Sequence, residues 1–317
     1  MIRLGPDSAP LDPGTSVVTI GVYDGVHLGH RLTLGNVVSE ARSSGRRSVV
    51  ATFDQHPLLV VRPELAPRFL CTLEQKLELL ETIGIDAVAV IPFDAERAAE
   101  TPDEFVRSVL VGKLAAGRIV VGEDFRFGRE RLGDVDFLRS EGGFLGFDVL
   151  GVTLDREDGE PISSTRIRAL VAEGDVTEAS RLLGRVHELC GPVLHGDGRG
   201  GPELGYPTAN IHVPETMAIP GVGIYAGWYR DDHHDAIPAA ISVGRRPTFY
   251  EGADPLIEAH LIGFNGDLYG AAGRISFLAR LRDEQRFESV ADLITQMSLD
   301  VAEAERLCAL HAGQAPA

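Results

Sequence analysis

Thr19-Ile20-Gly21-Val22-Tyr23-Asp24-Gly25-Val26-His27-Leu28-Gly29-His30 is the stretch that decides the fold. It continues a β-branched run, Val17–Ile20, that reads as a buried strand. The run breaks at Gly21, passes through a turn containing Asp24-Gly25, and enters a helical pattern with two histidines three residues apart. Backbone amides at a strand–turn–helix junction face outward, and the helix dipole favours an anion there. Histidines at i and i+3 share a helical face, so His27 and His30 can address one phosphate, with Gly21, Asp24 and Gly29 as further nucleotide-binding candidates. The same histidines can also simply pack, or cap the helix.

Outward from this turn, the first half alternates strand and helix. Strands are expected at Val17–Ile20, Ser48–Phe53, Ala87–Ile91, Arg118–Val121 and Phe147–Val152. Thr72-Leu73-Glu74-Gln75 and Thr101-Pro102-Asp103-Glu104 are capping boxes that start helices between them. Such alternation predicts a doubly wound α/β domain on a parallel sheet, with ligands beyond the carboxyl ends of its strands. Past about Gly184 the pattern changes. Strands are expected at Val186–Leu194, Ile224–Tyr229, Ala236–Val243, Leu256–Ile262 and Ile275–Leu281, and one amphipathic helix runs from Ser289 to Leu310. That order predicts a small antiparallel β-barrel domain with a C-terminal helix. The domains are read as 1–184 and 185–317, with the tail from His311 frayed.

At 317 residues the chain can bury two cores, and 44% hydrophobic with 24% charged residues is ordinary for a globular protein. A net charge of -17 disfavours a nucleic-acid backbone as partner and tolerates anionic nucleotides only where a site is locally positive. Cys71, Cys190 and Cys308 are far apart and lack metal spacing, which suits reduced thiols in the cytoplasm. Neither a signal peptide nor a membrane span is read. Oligomeric state is not legible.

Three further segments carry chemistry. Val121-Gly122-Glu123-Asp124-Phe125-Arg126-Phe127-Gly128 follows the fourth expected strand and places Asp124 at the same sheet edge. In Pro161-Ile162-Ser163-Ser164-Thr165-Arg166-Ile167-Arg168, hydroxyls and amides at a helix start, backed by arginines, can hold a triphosphate, although an ordinary Ser/Thr cap reads the same way. The glycine-dense run from His195 to Gly205 includes Gly196 and Gly198, which let amides approach a phosphate; Tyr206-Pro207-Thr208-Ala209-Asn210 follows. Thr208 and Asn210, two apart on a strand, face one side and offer oxygens suited to Mg²⁺ carried by ATP.

The His27–His30 string resembles the HxGH signature of nucleotidylyltransferases, and GVYDGVHLGH is similar to their bacterial FAD synthetase branch. Ser163–Arg168 resembles the ISSTxxR motif of that superfamily, and Thr52-Phe53-Asp54-Gln55-His56-Pro57 its TFDPHP segment, with Gln55 in place of proline. Pro207–Asn210 resembles the PTAN motif of riboflavin kinases, Gly221–Gly227 their GVYAG strand, and Ile257–Leu261 with Phe264–Gly270 their VEAHLL…FDGDLYG segment. Over roughly residues 15 to 310 the chain thus resembles the bacterial bifunctional riboflavin kinase/FAD synthetases.

The resemblance implies phosphorylation of riboflavin to FMN, then adenylyl transfer from ATP to FMN, giving FAD and pyrophosphate. It makes Glu258 the general base of the kinase and His27 and His30 phosphate donors. Ser164, Thr165 and Arg168 would hold the β and γ groups, and Thr208 and Asn210 the metal. The segment from Thr52 through Arg62 and Pro63 would help form the flavin-side pocket. Tyr23 stands where the family usually has Phe, which would put a hydroxyl near the nucleotide, and Arg245-Arg246 replaces Thr-Asn in VGTNPTF. Alternatives are a chain with only one working domain, or one acting on a flavin analogue.

Overall fold

The computed structural model describes residues 1–153, 156–157, 159–195, 206–245 and 255–316. The chain divides into two compact units, Met1–Pro67 with Leu73–Ser163, and Arg68–Thr72 with Ser164–Ala317.

The first unit is built on a six-stranded, wholly parallel sheet: β1 (Ile2–Leu4), β2 (Ser16–Ile20), β3 (Arg47–Phe53), β4 (Ala87–Ile91), β5 (Ala116–Gly122) and β6 (Asp148–Val152), in the order β1-β4-β3-β2-β5-β6. From β2 the chain winds one way through β3 and β4, then returns to place β5 and β6 on the other side. The switch point therefore lies between β2 and β5, where the crevice of such a sheet opens. β2 is buried along its whole length because it is covered on both faces. Val18 and Ile20 join one core layer with Phe105, Val109 and Leu138. Val17 joins the other with Leu34 and Val37 of the helix Leu28–Ser44 and Leu77 and Leu80 of the helix Leu73–Ile83. Truncating the fully buried Leu34 or Leu80 to alanine is expected to cost about 2–5 kcal/mol.

The expected strands of this half are present with their ends moved by one or two residues, and Ala87–Ile91 has the expected bounds. Thr101 and Glu104 form the reciprocal capping box read from the sequence. The reading missed β1, whose three residues pair with β4 through Ile2↔Ala87 but are too few to show a period. A two-strand hairpin, β7 (Arg156–Glu157) and β8 (Glu160–Pro161), also intervenes between β6 and the next helix.

The second unit is a closed antiparallel barrel of β9 (His187–Leu194), β10 (Ala209–Ile211), β11 (Gly223–Asp231), β12 (His234–Arg245), β13 (Pro255–Leu261) and β14 (Ala272–Arg282), in the order β10-β13-β12-β11-β14-β9. Leu189, Ile211, Tyr225, Ile241, Ile257, Ala259 and Phe277 fill its interior. The expected C-terminal helix spans Val290–Leu310, is capped by Ser289, and lies on β11 and β12. Cys308 and Leu307 of this helix join Val186, Trp228 and Leu278 in a cluster that also takes in Ala315. The tail is consequently not frayed from His311: Ala312–Gln314 is a 3-10 turn, and Ala315 is held by this apolar contact.

The helices Ser164–Glu173 and Val176–Leu183 belong to this second unit, ahead of the expected boundary after residue 184. Val176 is part of the barrel core, and Ala179, Leu182 and Leu183 are also buried. Arg280 ties the pair down, donating to the carbonyls of Glu173 (3.0 Å) and Val222 (2.6 Å). Gly174, at φ +84°, makes the junction possible, since a Cβ there would lie 2.7 Å from the Tyr225 hydroxyl. Periodicity marks a helix but does not say which sheet it covers. Phe69, from the loop before Leu73–Ile83, joins the same unit: its amide donates to Thr216 O, and Ala218 N donates to its carbonyl, both at 2.7 Å.

Candidate active sites

The first site grows from the carboxyl end of β2. Tyr23 (φ 50°), Gly25 (φ 77°) and Val26 (φ 41°) all adopt left-handed backbone in the 3-10 turn that follows. Such a conformation is natural for glycine and strained for a β-branched residue, and runs of it mark functional turns. The turn is held by buried side chains. The Tyr23 hydroxyl pairs with Thr19 Oγ1 at 2.5 Å, and Thr52 Oγ1 donates to the Val22 carbonyl at 3.2 Å. Burial pushes the Tyr23 phenol well above its ordinary range. Its hydroxyl is therefore bonded inside the domain.

His27 is the cap of the helix Leu28–Ser44 and not its first turn: its backbone is extended, and its Nδ1 accepts from the His30 amide at 3.3 Å. An Nδ1 that accepts leaves the proton of a neutral ring on Nε2, so the cap itself fixes the tautomer that can donate to a phosphate. The His27 and His30 rings stack at 3.6 Å between centroids, 19° apart. Gly29 is needed between them, because a Cβ there would lie 3.1 Å from the Ile162 carbonyl and 3.3 Å from the His27 ring. Asp24 is 2% exposed, and a Cβ on Gly21 would meet the Tyr23 ring at 3.1 Å.

Asp124 is exposed in the turn after β5, the strand across the switch point from β2. His56 caps the short helix Pro57–Val61, none of whose residues is fully buried, and the stretch from Arg62 to Leu65 is exposed. Ser164 begins the helix Ser164–Glu173, Thr165 is exposed, Arg168 is half-buried, and Arg166 faces Glu178 at 3.5 Å. A cavity of about 680 Å³ beside β1 and β4 is lined by Leu4, Ile91, Arg97, Lys113 and Leu114 among others, and takes in none of the expected site residues.

The second site is a row across three barrel strands. Antiparallel register sets Asn210 of β10 opposite Glu258 of β13, and Glu258 opposite Ser242 of β12. Ile257 and Ala259 fill the barrel interior, so alternation turns Glu258, and with it the whole row, to the outer face. Sequence reading identified Asn210 and Glu258 but not Ser242, because register between distant strands has no signal in a single sequence. Thr208 is half-buried just ahead of β10. The segment is anchored at its start, where His260 Nδ1 bonds the Pro207 carbonyl at 2.9 Å and the Tyr206 hydroxyl bonds Ser298 Oγ at 2.7 Å.

Asn210 Oδ1 is buried and has no hydrogen-bond partner among the described residues. A neutral carbonyl oxygen in that state suits a hard cation arriving with a ligand. At the end of β14, Arg282 holds Asp300 of the C-terminal helix through Nε (2.9 Å) and Nη2 (2.7 Å). His195 stacks on Tyr269 at 3.5 Å. Gly196, Gly198 and Arg246 lie outside the described residues.

Comparison with known proteins agrees with this two-part architecture. The FAD synthetase family model matches residues 10–166 and the riboflavin kinase model residues 183–308. Bifunctional riboflavin kinase/FMN adenylyltransferases of Pseudomonas fluorescens (36% identity; 92% of this chain, 93% of theirs) and Escherichia coli K12 (36%; 90% of each) are similar along their length. A Streptococcus pneumoniae crystal structure described as a macrolide-efflux protein superposes with a TM-score of 0.86 at 29% identity, over 96% of this chain and 99% of that one. No helix among the described residues is long and apolar enough to cross a membrane. With both family models matched in order, and relatives above 30% identity along almost the whole length, this chain belongs to the bifunctional riboflavin kinase/FMN adenylyltransferase family.

Proposed function

We propose that the chain phosphorylates riboflavin to FMN on residues 185–317 and converts FMN to FAD on residues 1–184. The observation that carries this reading is the outward row, in which a carboxylate, Glu258, lies directly across from Asn210, whose buried carbonyl oxygen has no hydrogen-bond partner among the described residues.

In the kinase step Glu258 accepts the proton of the ribityl 5′-hydroxyl as its oxygen bonds the γ-phosphorus of ATP and ADP departs. Kinases and adenylyltransferases generally use a divalent metal with ATP. We assign it as Mg²⁺, which Asn210 Oδ1 and the Thr208 hydroxyl would hold and which would offset charge on the phosphates. Gly196 and Gly198 would approach those phosphates through their backbone.

In the second step a phosphate oxygen of FMN bonds the α-phosphorus of ATP, and pyrophosphate leaves. No enzyme-bound intermediate is required, so the work is alignment and neutralisation of growing charge. His27 and His30 donate to phosphate oxygens from the helix start, and Ser164, Thr165 and Arg168 hold the leaving group. Gly21, Asp24, Gly29 and Asp124 would shape the nucleotide site. The substrates proposed are therefore ATP, riboflavin and FMN, with FAD as product and no nucleic acid involved, and the proposed setting is the cytoplasm.

The test is a time course with riboflavin, ATP and Mg²⁺ followed by HPLC. FMN first and FAD later is the expected result. FMN without FAD would leave only the kinase half active, and absence of both would overturn the reading.

A further inference from the structure

Lysine is seldom buried, because its ammonium loses water that the interior must replace. Lys76, on the helix Leu73–Ile83, is 6% exposed and lies on the helix's buried face with Gln75, Leu77 and Leu80. Its Nζ donates to Thr52 Oγ1 at 3.3 Å. Thr52, fully buried near the carboxyl end of β3, uses its own proton on the Val22 carbonyl at 3.2 Å. The relay runs from a helix on one side of the sheet, through a strand, to the first residue of the turn that delivers His27.

That turn needs bracing. Three of its residues, Tyr23, Gly25 and Val26, have positive φ, and strain of this kind persists only where surrounding groups over-determine it. Tyr23 is fixed from below by Thr19, and the Val22 carbonyl is fixed from the side by Thr52. Without the ammonium, Thr52 loses the donor that polarises its hydroxyl and sets its rotamer. The carbonyl of Val22 then loses its fixed partner, and the cap at His27 loses its entry angle.

We propose that Lys76 is a positioning residue for adenylyl transfer, acting through Thr52 on the Val22–His27 turn. The inference rests on the reading of His27 and His30 as phosphate donors. It differs from the expectation that the Thr52 segment serves the flavin pocket: Thr52 itself is spent on the neighbouring turn, and only residues beyond it are exposed.

The test uses the full chain with FMN supplied directly, and the riboflavin-to-FMN rate of each preparation as internal control. Lys76→Met and Thr52→Val, close in size to what they replace, are each expected to lower kcat of the FMN-to-FAD step about tenfold, with KM for FMN and ATP within about twofold. Because they share one relay, the double variant should be no slower than the slower single variant. Thr52→Ser, which keeps the hydroxyl, should recover most of the rate. A loss of folded enzyme would not be repaired by a hydroxyl in this way, and Thr52→Val at the parent rate would break the relay at its middle link even if Lys76→Met does not fold. Either single variant running at the parent rate, or losses that multiply in the double variant, would overturn the proposal. A parent that makes no FAD would instead overturn the functional reading on which it rests.

Discussion

The turn after β2 and the outer row of the barrel, the two sites proposed to meet phosphorylated ligands, place their polar groups by opposite means. In the turn the backbone does the work: positive φ at Tyr23, Gly25 and Val26 bends the chain so that His27 caps the helix and stacks on His30. In the row the backbone is ordinary extended strand, and position comes from register, which sets Asn210, Glu258 and Ser242 side by side. A site made by conformation should be sensitive to changes that touch no ligand. A site made by register should be robust to its surroundings and sensitive mainly to its own side chains.

The sharpest separation should come from the row. Glu258→Gln keeps size and hydrogen bonding but removes the base, and should slow riboflavin phosphorylation about a thousandfold. FAD formation from added FMN should be unchanged, as read by HPLC with each substrate alone. If both steps fall together, the two regions are not independent devices. His30→Ala is the mirror experiment. Loss of one phosphate donor should lower kcat of the FMN-to-FAD step about a hundredfold and leave FMN production intact.

The barrel also offers a way to disturb one region alone. His187 is 1% exposed, and its Nε2 donates to the Ala218 carbonyl at 2.8 Å. Burial, helped by the charge of Arg185 and only partly offset by that hydrogen bond, pulls the imidazole down to about 4. The unfolded chain binds this proton near the ordinary value of about 6.5, so the barrel is fully stabilised above pH 6.5. The stabilisation fades as pH falls from there towards 4. It amounts to about 3 kcal/mol in all, of which about 2 should be lost between pH 7 and pH 5. Trp228, the chain's one tryptophan, is buried on the barrel, so its fluorescence during denaturation reports this unit. A pH-independent midpoint, or a His187→Gln variant with the parent's pH dependence, would show that the ring does not carry the effect.

The contrast between turn and row also explains what was legible in the sequence. Local devices were: the β-branched run of β2, the Thr101–Glu104 box, and the amphipathic helix that starts at Ser289. Long-range ones were not. Ser242 is 16 residues from Glu258 in number, but only the ladder makes them neighbours, and nothing near Lys76 announces that it serves Thr52. The helix start at Ser164 was read, yet the second helix, Val176–Leu183, and the barrel core that both pack against were not visible. The tail read as frayed because the contact of Ala315 is made with residues far back in the chain.

Tyr23 gives the smallest expected effect and the finest test. Its ring packs in the core while its hydroxyl is bonded to Thr19. If the hydroxyl serves the fold alone, Tyr23→Phe removes one buried hydrogen bond and leaves Thr19 Oγ1 without that partner, at a cost of about 1–2 kcal/mol in stability. KM for ATP and kcat of the FMN-to-FAD step should stay within about twofold, because the turn keeps its ring and the brace from Thr52. Thr19→Val should lose a similar amount, and the pair together less than the sum, since both report one bond. Should Tyr23→Phe instead raise KM for ATP with stability unchanged, the hydroxyl would belong to the nucleotide. The turn would then place its ligand groups by side-chain chemistry as the row does, and the distinction between the two sites would lose its basis.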